Sequence, residues 1–270
     1  MVQASPSVVT AARVLKYLTR YRTARATLTQ IAVDLDLPKS STSRILKALV
    51  DEHLLDFDGL TRLYSLGPYA VVIGSRAEEN VDYLTEVRSV LRELAERTTL
   101  TAAWIQRVAS DRLMYVAKHE GTANMRVAIS IGNRFPLTEV SFGQWVVAYA
   151  DDEDRATILA RGLPTVSGSN ITDPVEYLAH CAKIRREGVV TTSGAYMPGI
   201  WAASTPVLGR GDQLVGILAV IGLAETTDDE RRRVATDIIQ EVTHRLNLRE
   251  IAQSLPAVHA EQARGENTDA

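Results

Sequence analysis

Within nine consecutive positions, Lys39, Ser40, Ser41, Ser43, Arg44 and Lys47 bring three cations and three small hydroxyls onto one segment. Hydroxyls and a helix N-terminus take phosphate oxygens, and an arginine fork bonds two acceptors on a guanine edge. The set therefore suits a protein that reads the major groove of DNA. At helical spacing Thr42, Ile45, Leu46, Leu49 and Val50 form one stripe for burial. Ser40, Arg44 and Lys47 fall on the opposite side, with Ser41 and Ser43 beside them. Pro38 reads as the first helical residue, where a missing N–H is no loss. No other chemistry shows such a grouping. His53, His119, His180, His244 and His259 include no pair at metal-ligand spacing. His180 and Cys181 are neighbours on one helix and point to different sides of it. No G-x-S-x-G, Walker loop or G-x-G-x-x-G occurs, and Arg210-Gly211-Asp212 after Gly209 reads as a turn between strands. Neither a metal nor a cofactor is expected.

Such a reading helix needs neighbours to hold it. Val8, Ala11, Ala12, Leu15 and Leu18 predict a first helix from about Ser7 to Tyr21, with Arg13, Lys16 and Arg20 on another side. Arg13 and Arg20 are placed to meet flanking phosphates. Thr27-Leu28-Thr29-Gln30 is a capping box that starts a short second helix carrying Leu28, Ile31 and Ala32. That helix must stop before Pro38, leaving a turn around Leu35-Asp36-Leu37. From Leu55 to Leu66 a rough alternation about Asp58-Gly59 predicts a hairpin with Arg62 near its tip. Three helices and a hairpin make a winged helix-turn-helix, with Arg62 set to touch the DNA backbone or minor groove.

Charge agrees with this division of labour. The chain of 270 residues has a net charge of −3, yet its first 50 residues carry eight basic groups against two acids. A basic end on an acidic body suggests that the small end meets a polyanion, although a solvated basic face fits the charge equally well. With 46% hydrophobic and 23% charged residues and one cysteine, collagen, wholesale disorder and a disulfide scaffold are excluded. The lone Cys181 points to a reducing, cytoplasmic setting. The longest apolar run, Leu214 to Ala224, is about half of a membrane span, and no export signal is read at the N-terminus.

Gly67-Pro68 breaks the chain after the hairpin, and Tyr69 to Glu79 reads as a helical connector with Ala70, Ile73 and Gly74 along one side. A longer helix follows from Val81 to Arg97. Strand-like runs then cover Leu100 to Val108, Leu113 to Lys118, Arg126 to Ile131, Val189 to Thr192, Trp201 to Val207 and Gln213 to Gly222. Helical runs cover Ser141 to Ala150, Asp152 to Arg161, Asp173 to Glu187 and Thr227 to Glu250. Asp173 with Pro174 announces one of these helices, and Thr227 to Glu230 reads as a second capping box. Strands grouped before and after a block of helices imply an α+β domain with an antiparallel sheet. The expected boundaries are a DNA-binding domain at 1–66, a linker helix at 67–80, the larger α+β domain at 81–255, and a disordered tail at 256–270.

Four N-terminal runs, Ala12-Arg13-Val14-Leu15, Leu28-Thr29-Gln30-Ile31-Ala32, Leu37-Pro38-Lys39-Ser40 through Ala48-Leu49, and Tyr64-Ser65-Leu66-Gly67, resemble the IclR family of bacterial transcriptional regulators. Val90 to Thr98, Ile184-Arg185-Arg186-Glu187-Gly188 and Pro198-Gly199-Ile200 resemble its GAF-like effector domain, so that the likeness spans about residues 8 to 250. Asp36 departs from the usual glycine of the turn, and aspartate tolerates the left-handed conformation needed there. The resemblance implies a homodimer or dimer of dimers on a palindromic double-stranded operator near a catabolic or transport gene cluster, controlled by a small-molecule effector.

It also implies a pocket. Phe142, Gly143 and Gln144 would stand at a helix start whose free N–H groups could seat a carboxylate. The family's polar ligand contacts fall at Thr192, Ala195, Ala202, Ala219 and Ile221, four of them apolar here. Together with Met125, Trp145, Met197 and Trp201 they imply an apolar or aromatic ligand rather than a small oxo-acid. Plain core is the competing reading of these Trp and Met residues. Two other functions stay open on sequence: an enzyme with an accessory DNA-binding domain, and a ligandless regulator driven by a partner protein. Replacing Arg44 by Ala should cost about 1–3 kcal/mol of DNA affinity and relax sequence preference at one base position. Uniform weakening across sequences would instead make Arg44 a phosphate contact.

Overall fold

Helix α1 (Pro6–Leu18) buries Val14, Tyr17 and Leu18 on its apolar side. It stops three residues before the expected Tyr21, because the chain turns into a 3-10 segment at Tyr21–Thr23. Thr27 caps α2 (Leu28–Asp34) as the sequence predicts: its hydroxyl accepts from the Gln30 N–H while the Gln30 side chain accepts from the Thr27 N–H. Pro38 differs from expectation. Its extended backbone (φ −61°, ψ 130°) places it just outside α3 (Lys39–Asp51), as the cap whose carbonyl accepts from the Thr42 N–H. Thr42, Leu46 and Leu49 are buried beneath α3. The hairpin is present as β2 (Leu55–Asp58) and β3 (Leu63–Leu66), and a two-residue strand absent from the sequence reading, β1 (Ala26–Thr27), adds to its other edge. Helix α4 (Pro68–Glu79) follows directly.

The computed structural model describes residues 5–79, 82–166, 171–194 and 197–247. Ala195, Val81, the end of the expected last helix at Glu250 and the expected tail from Pro256 lie outside those residues. The chain divides into two compact units at Asp82/Tyr83, so that α4 belongs with the first.

In the second unit a six-stranded antiparallel sheet runs β6-β5-β4-β9-β8-β7. Its members are β4 (Thr101–Ala109), β5 (Arg112–His119), β6 (Arg134–Pro136), β7 (Val190–Ser193), β8 (Ile200–Leu208) and β9 (Leu214–Leu223). One face packs on α5 (Asp82–Thr98) and α9 (Asp229–Asn247) through Leu91, Leu94, Trp104, Leu218, Ile239 and Val242. The other packs on α6 (Gly143–Tyr149), α7 (Asp152–Arg161) and α8 (Pro174–Glu187) through Ile105, Trp145, Ile158, Tyr177, Ile217 and Ala219. The strands alternate between two cores, and no strand residue can serve both.

Two expectations fail here. Residues 126–131 form no strand, because the free edge of β5 is taken by β6 at Arg134–Pro136. Their apolar alternation reflects one buried side of a strap held by the buried Thr101, whose hydroxyl donates to the Val127 carbonyl. Thr227 does not cap α9 either. Asp228 accepts from the Arg231 N–H, while Thr227 is buried and donates to the Leu223 carbonyl. A Cβ at Gly216 would lie 2.3 Å from the ring of the fully buried Trp104. Gly216→Ala should therefore destabilise by about 1–3 kcal/mol, read as a lower midpoint of chemical denaturation. An unchanged midpoint would mean that the sheet relaxes away from the indole.

Candidate DNA-reading surface and effector cavity

In the first unit, α3 presents Lys39, Ser40, Ser43, Arg44 and Lys47 to solvent. Ser41 is half-buried and its hydroxyl donates to the Pro38 carbonyl at 2.9 Å, as Thr42 does at 3.0 Å. The proton of Ser41 is thus used locally. The turn before α3 depends on Asp36, which adopts the left-handed conformation at φ 50° that its position requires. The Leu37 N–H closes that turn onto the Ala32 carbonyl at 2.8 Å.

Arg13 has a role that the sequence did not suggest. Its guanidinium donates to the Leu35 carbonyl at 2.7 Å, tying α1 to the turn. Beside it the Tyr17 hydroxyl donates to Asp34 at 2.6 Å. Burial first, and then that hydrogen bond, push the Tyr17 phenol up to about 12, so it stays a donor throughout the physiological range. Arg20 lies with its guanidinium carbon 5.9 Å from the Tyr17 ring centroid. At the hairpin tip Arg62 takes a left-handed backbone (φ 60°) and rests 5.8 Å over the Phe57 ring.

In the second unit, a cavity of about 180 Å³ opens between the sheet, the strap and the start of α6. Thr192, Ala202 and Ile221 line it from β7, β8 and β9, facing Tyr115, Phe135 and Phe142, with Met197 and Ile200 at one side. The strap contributes Val127, Ala128, Ile129 and Ser130. Polar groups are few: Ser130, Asn133, Ser141 and Thr192, with the phenol of Tyr115. Of the residues that sequence pointed to, Phe142, Thr192, Met197, Ala202 and Ile221 line this cavity.

Six others stand elsewhere. Trp201 belongs to the core on the opposite sheet face, since it neighbours Ala202 along one strand and must point the other way. Ala219 is buried in the core under α6. Trp145 is fully buried, its indole N–H donating to the Ser204 hydroxyl at 3.0 Å. Gln144 is held by the Thr165 carbonyl and His180. Gly143 serves a close backbone approach, because a Cβ there would lie 2.0 Å from the Leu137 carbonyl oxygen. Met125 is 63% exposed, on the rim of a separate open groove.

The expected carboxylate seat at the start of α6 is also filled from within. The N–H groups of Gly143, Gln144 and Trp145 donate to the carbonyls of Val140, Ser141 and Phe142. Sequence reasoning missed Tyr115, Phe135 and the strap. Their aromatic contacts, 4.9 Å between Tyr115 and Phe135 and 6.2 Å between Phe135 and Phe142, join segments far apart in sequence.

Neither of two other features offers comparable chemistry. A hollow of about 170 Å³ at the opposite end of the same sheet face contains Arg107, but Asp154 and the Ser110 carbonyl already hold its guanidinium. Burial pushes the Cys181 thiol up to about 11, so it is not a thiolate at neutral pH and is no nucleophile. Among the described residues no cluster of His, Cys, Asp and Glu could hold a metal ion, and no helix is long and apolar enough to cross a membrane.

Comparison with known proteins agrees with this arrangement. Residues 76–248 match the family model of the bacterial transcriptional regulator IclR C-terminal domain, and residues 7–59 match the IclR helix-turn-helix domain. A solved IclR transcriptional regulator from Alicyclobacillus acidocaldarius is 30% identical, with a TM-score of 0.83, over 91% of this chain and 98% of that one. The HTH-type transcriptional regulator BhcR of Paracoccus denitrificans is 24% identical over 82% of this chain and 79% of its own length. The transcriptional repressor IclR of Escherichia coli is 22% identical over 75% of each. These relatives are named as transcriptional regulators, not enzymes. The helix-turn-helix and effector-domain matches, in the order in which the two units are built, show that this chain belongs to the IclR family of transcriptional regulators.

Proposed function

We propose that this protein is a cytoplasmic repressor that binds a palindromic operator as a dimer or dimer of dimers and responds to a small apolar or aromatic metabolite. The observation that carries the ligand class is the cavity of about 180 Å³. An apolar cavity of about 150 Å³ accepts benzene, so this one suits a single ring with a short substituent. Its aromatic and aliphatic walls supply burial, while Ser130, Asn133, Ser141 and Thr192 supply a few oriented hydrogen bonds. Among the described residues, no cationic side chain lines it to neutralise a small oxo-acid.

On DNA, Lys39, Ser40, Ser41, Ser43, Arg44 and Lys47 read or clamp the major groove, and Arg62 and Arg20 meet the flanking backbone. Arg13 acts chiefly by holding the turn beneath α3. A palindrome needs two copies of α3. Support for self-association comes from α4, where Tyr69, Val72 and Ile73 share one side of the helix and are 49% to 55% exposed. The repressor sense follows the name of the Escherichia coli relative, and the reducing location follows the single cysteine.

The ligand class is tested by thermal and chemical denaturation of the full chain with neutral monocyclic aromatics such as phenols and, separately, with small oxo-acids. A ring compound at about a hundred times its Kd should stabilise by about 2.7 kcal/mol. Ala202→Leu, which narrows the cavity floor, should abolish that gain and leave DNA binding intact. Stabilisation by oxo-acids alone would overturn the aromatic reading. On DNA, the protein's own upstream region should be preferred over a scrambled duplex by about a thousandfold, with the preference persisting as salt rises. A strictly monomeric protein, free and on DNA, would exclude palindrome reading.

A further inference from the structure

The wing tip carries a residue that the functional reading above leaves unused. Leu60 is 97% exposed, more than any other large apolar side chain among the described residues. Single exposed leucines are ordinary on mobile surfaces. This one sits on a turn that its neighbours lock. One oxygen of Asp58 accepts from the N–H groups of Leu60 and Thr61 at 2.9 and 3.3 Å, and the other accepts from the Thr61 hydroxyl at 2.6 Å. The Asp58 carbonyl accepts from the Arg62 N–H at 2.8 Å. These bonds, the Thr61 hydroxyl's first, hold the Asp58 carboxyl below its usual range, so it stays ionised and the lock persists at any physiological pH.

Behind the tip the hairpin is stiffened by aromatic packing. The Phe57 and Tyr64 rings lie 4.6 Å apart, and Arg62 covers the outer side of Phe57. Arg62 holds a left-handed backbone, which glycine would adopt without strain, and so presents a cation there instead. The tip is thus a rigid projection with an uncovered leucine at its end and an arginine at its base. The hairpin is also fixed to α3: the Leu54 N–H donates to the Leu49 carbonyl in the intervening turn, and Leu55 is buried in the same core as Leu46 and Leu49.

The chemistry that matches such a projection is the minor groove of duplex DNA. The groove is flanked by phosphates that draw an arginine, and apolar side chains such as leucine pry open stacked base steps there. We propose that Leu60 is a wedge that enters the minor groove beside each half-site, unstacks one base step and kinks the duplex. The inference rests on the DNA-binding reading and adds to it a source of specificity that needs no base-edge contact. Flexible pyrimidine–purine steps such as TA and CA unstack most readily, and stiff A-tracts resist it. The wing then selects sequence through deformability at the flank, while α3 selects it directly at the centre.

The test starts from duplexes selected out of a random library by the full-length protein, labelled at both ends for energy transfer. The wild type should bend the selected duplex by roughly 20–90° and prefer a TA step over an A-tract at the flank by roughly tenfold. Leu60→Ser should remove both the bend and the flank preference while keeping preference for the central half-site and an unchanged unfolding midpoint. Leu60→Met, still apolar, should retain both. A bend and flank preference that survive Leu60→Ser, or a straight duplex with the wild type, would overturn the wedge with DNA binding left standing. A library from which the wild type selects no duplex would end the DNA-binding reading, and the wedge with it.

Discussion

Both faces of the six-stranded sheet are covered by helices, and this constraint organises the larger unit. A strand residue has one side only, so each must serve the core under α6 to α8 or the core under α5 and α9. The consecutive residues Ser204 and Thr205 show the rule at the level of single hydrogen bonds. Ser204 accepts from Trp145 on α6, while Thr205 bonds Thr243 on α9 at 2.6 Å. The hydroxyls of Ser204 and Thr205 are thereby satisfied by partners from the layer that each faces, which ties α6 and α9 to the sheet, while the buried Trp104 indole N–H and Tyr177 hydroxyl have no hydrogen-bond partner among the described residues.

The cavity follows from the same constraint. It lies where the α6 layer thins out beyond Phe142 and the strap, rather than a helix, covers Thr192, Ala202 and Ile221. The strap is held by contacts such as that of Thr101 with the Val127 carbonyl and forms no strand ladder, and its side chains line a space. Ligand recognition in such a place is dominated by shape and apolar area, with a few hydroxyls setting orientation. In the second core Trp104 packs against the backbone of Gly216 so closely that a Cβ there would lie 2.3 Å from its ring.

The smaller unit works by a different principle. Its reading helix is short and its core small, so that position comes from discrete polar ties: the capping box of α2, the left-handed Asp36, and Arg13 on the Leu35 carbonyl. Among the described residues Lys39, Ser40, Ser43, Arg44 and Lys47 stand exposed on the outward side of α3. Tyr17 joins α1 to α2 through Asp34, and its raised phenol keeps that link intact over the whole range in which DNA binding would be measured.

Local chemistry alone determined much of this protein. The capping box at Thr27, the left-handed tolerance of Asp36, the hairpin at Asp58-Gly59, the amphipathic spacing of α3 and most strands were legible because each depends on residues within a few positions of one another. The family likeness was legible for the same reason, since its motifs are short and ordered. Tertiary structure decided what needed distant partners. Which face Trp201 takes, that Arg13 buttresses a turn, that β6 displaces residues 126–131 from the edge of β5, and that Tyr115 and Phe135 wall the cavity were not written locally. A strand pattern records alternation but not which layer waits on either side, and a helix start records free donors but not whether the preceding turn already occupies them.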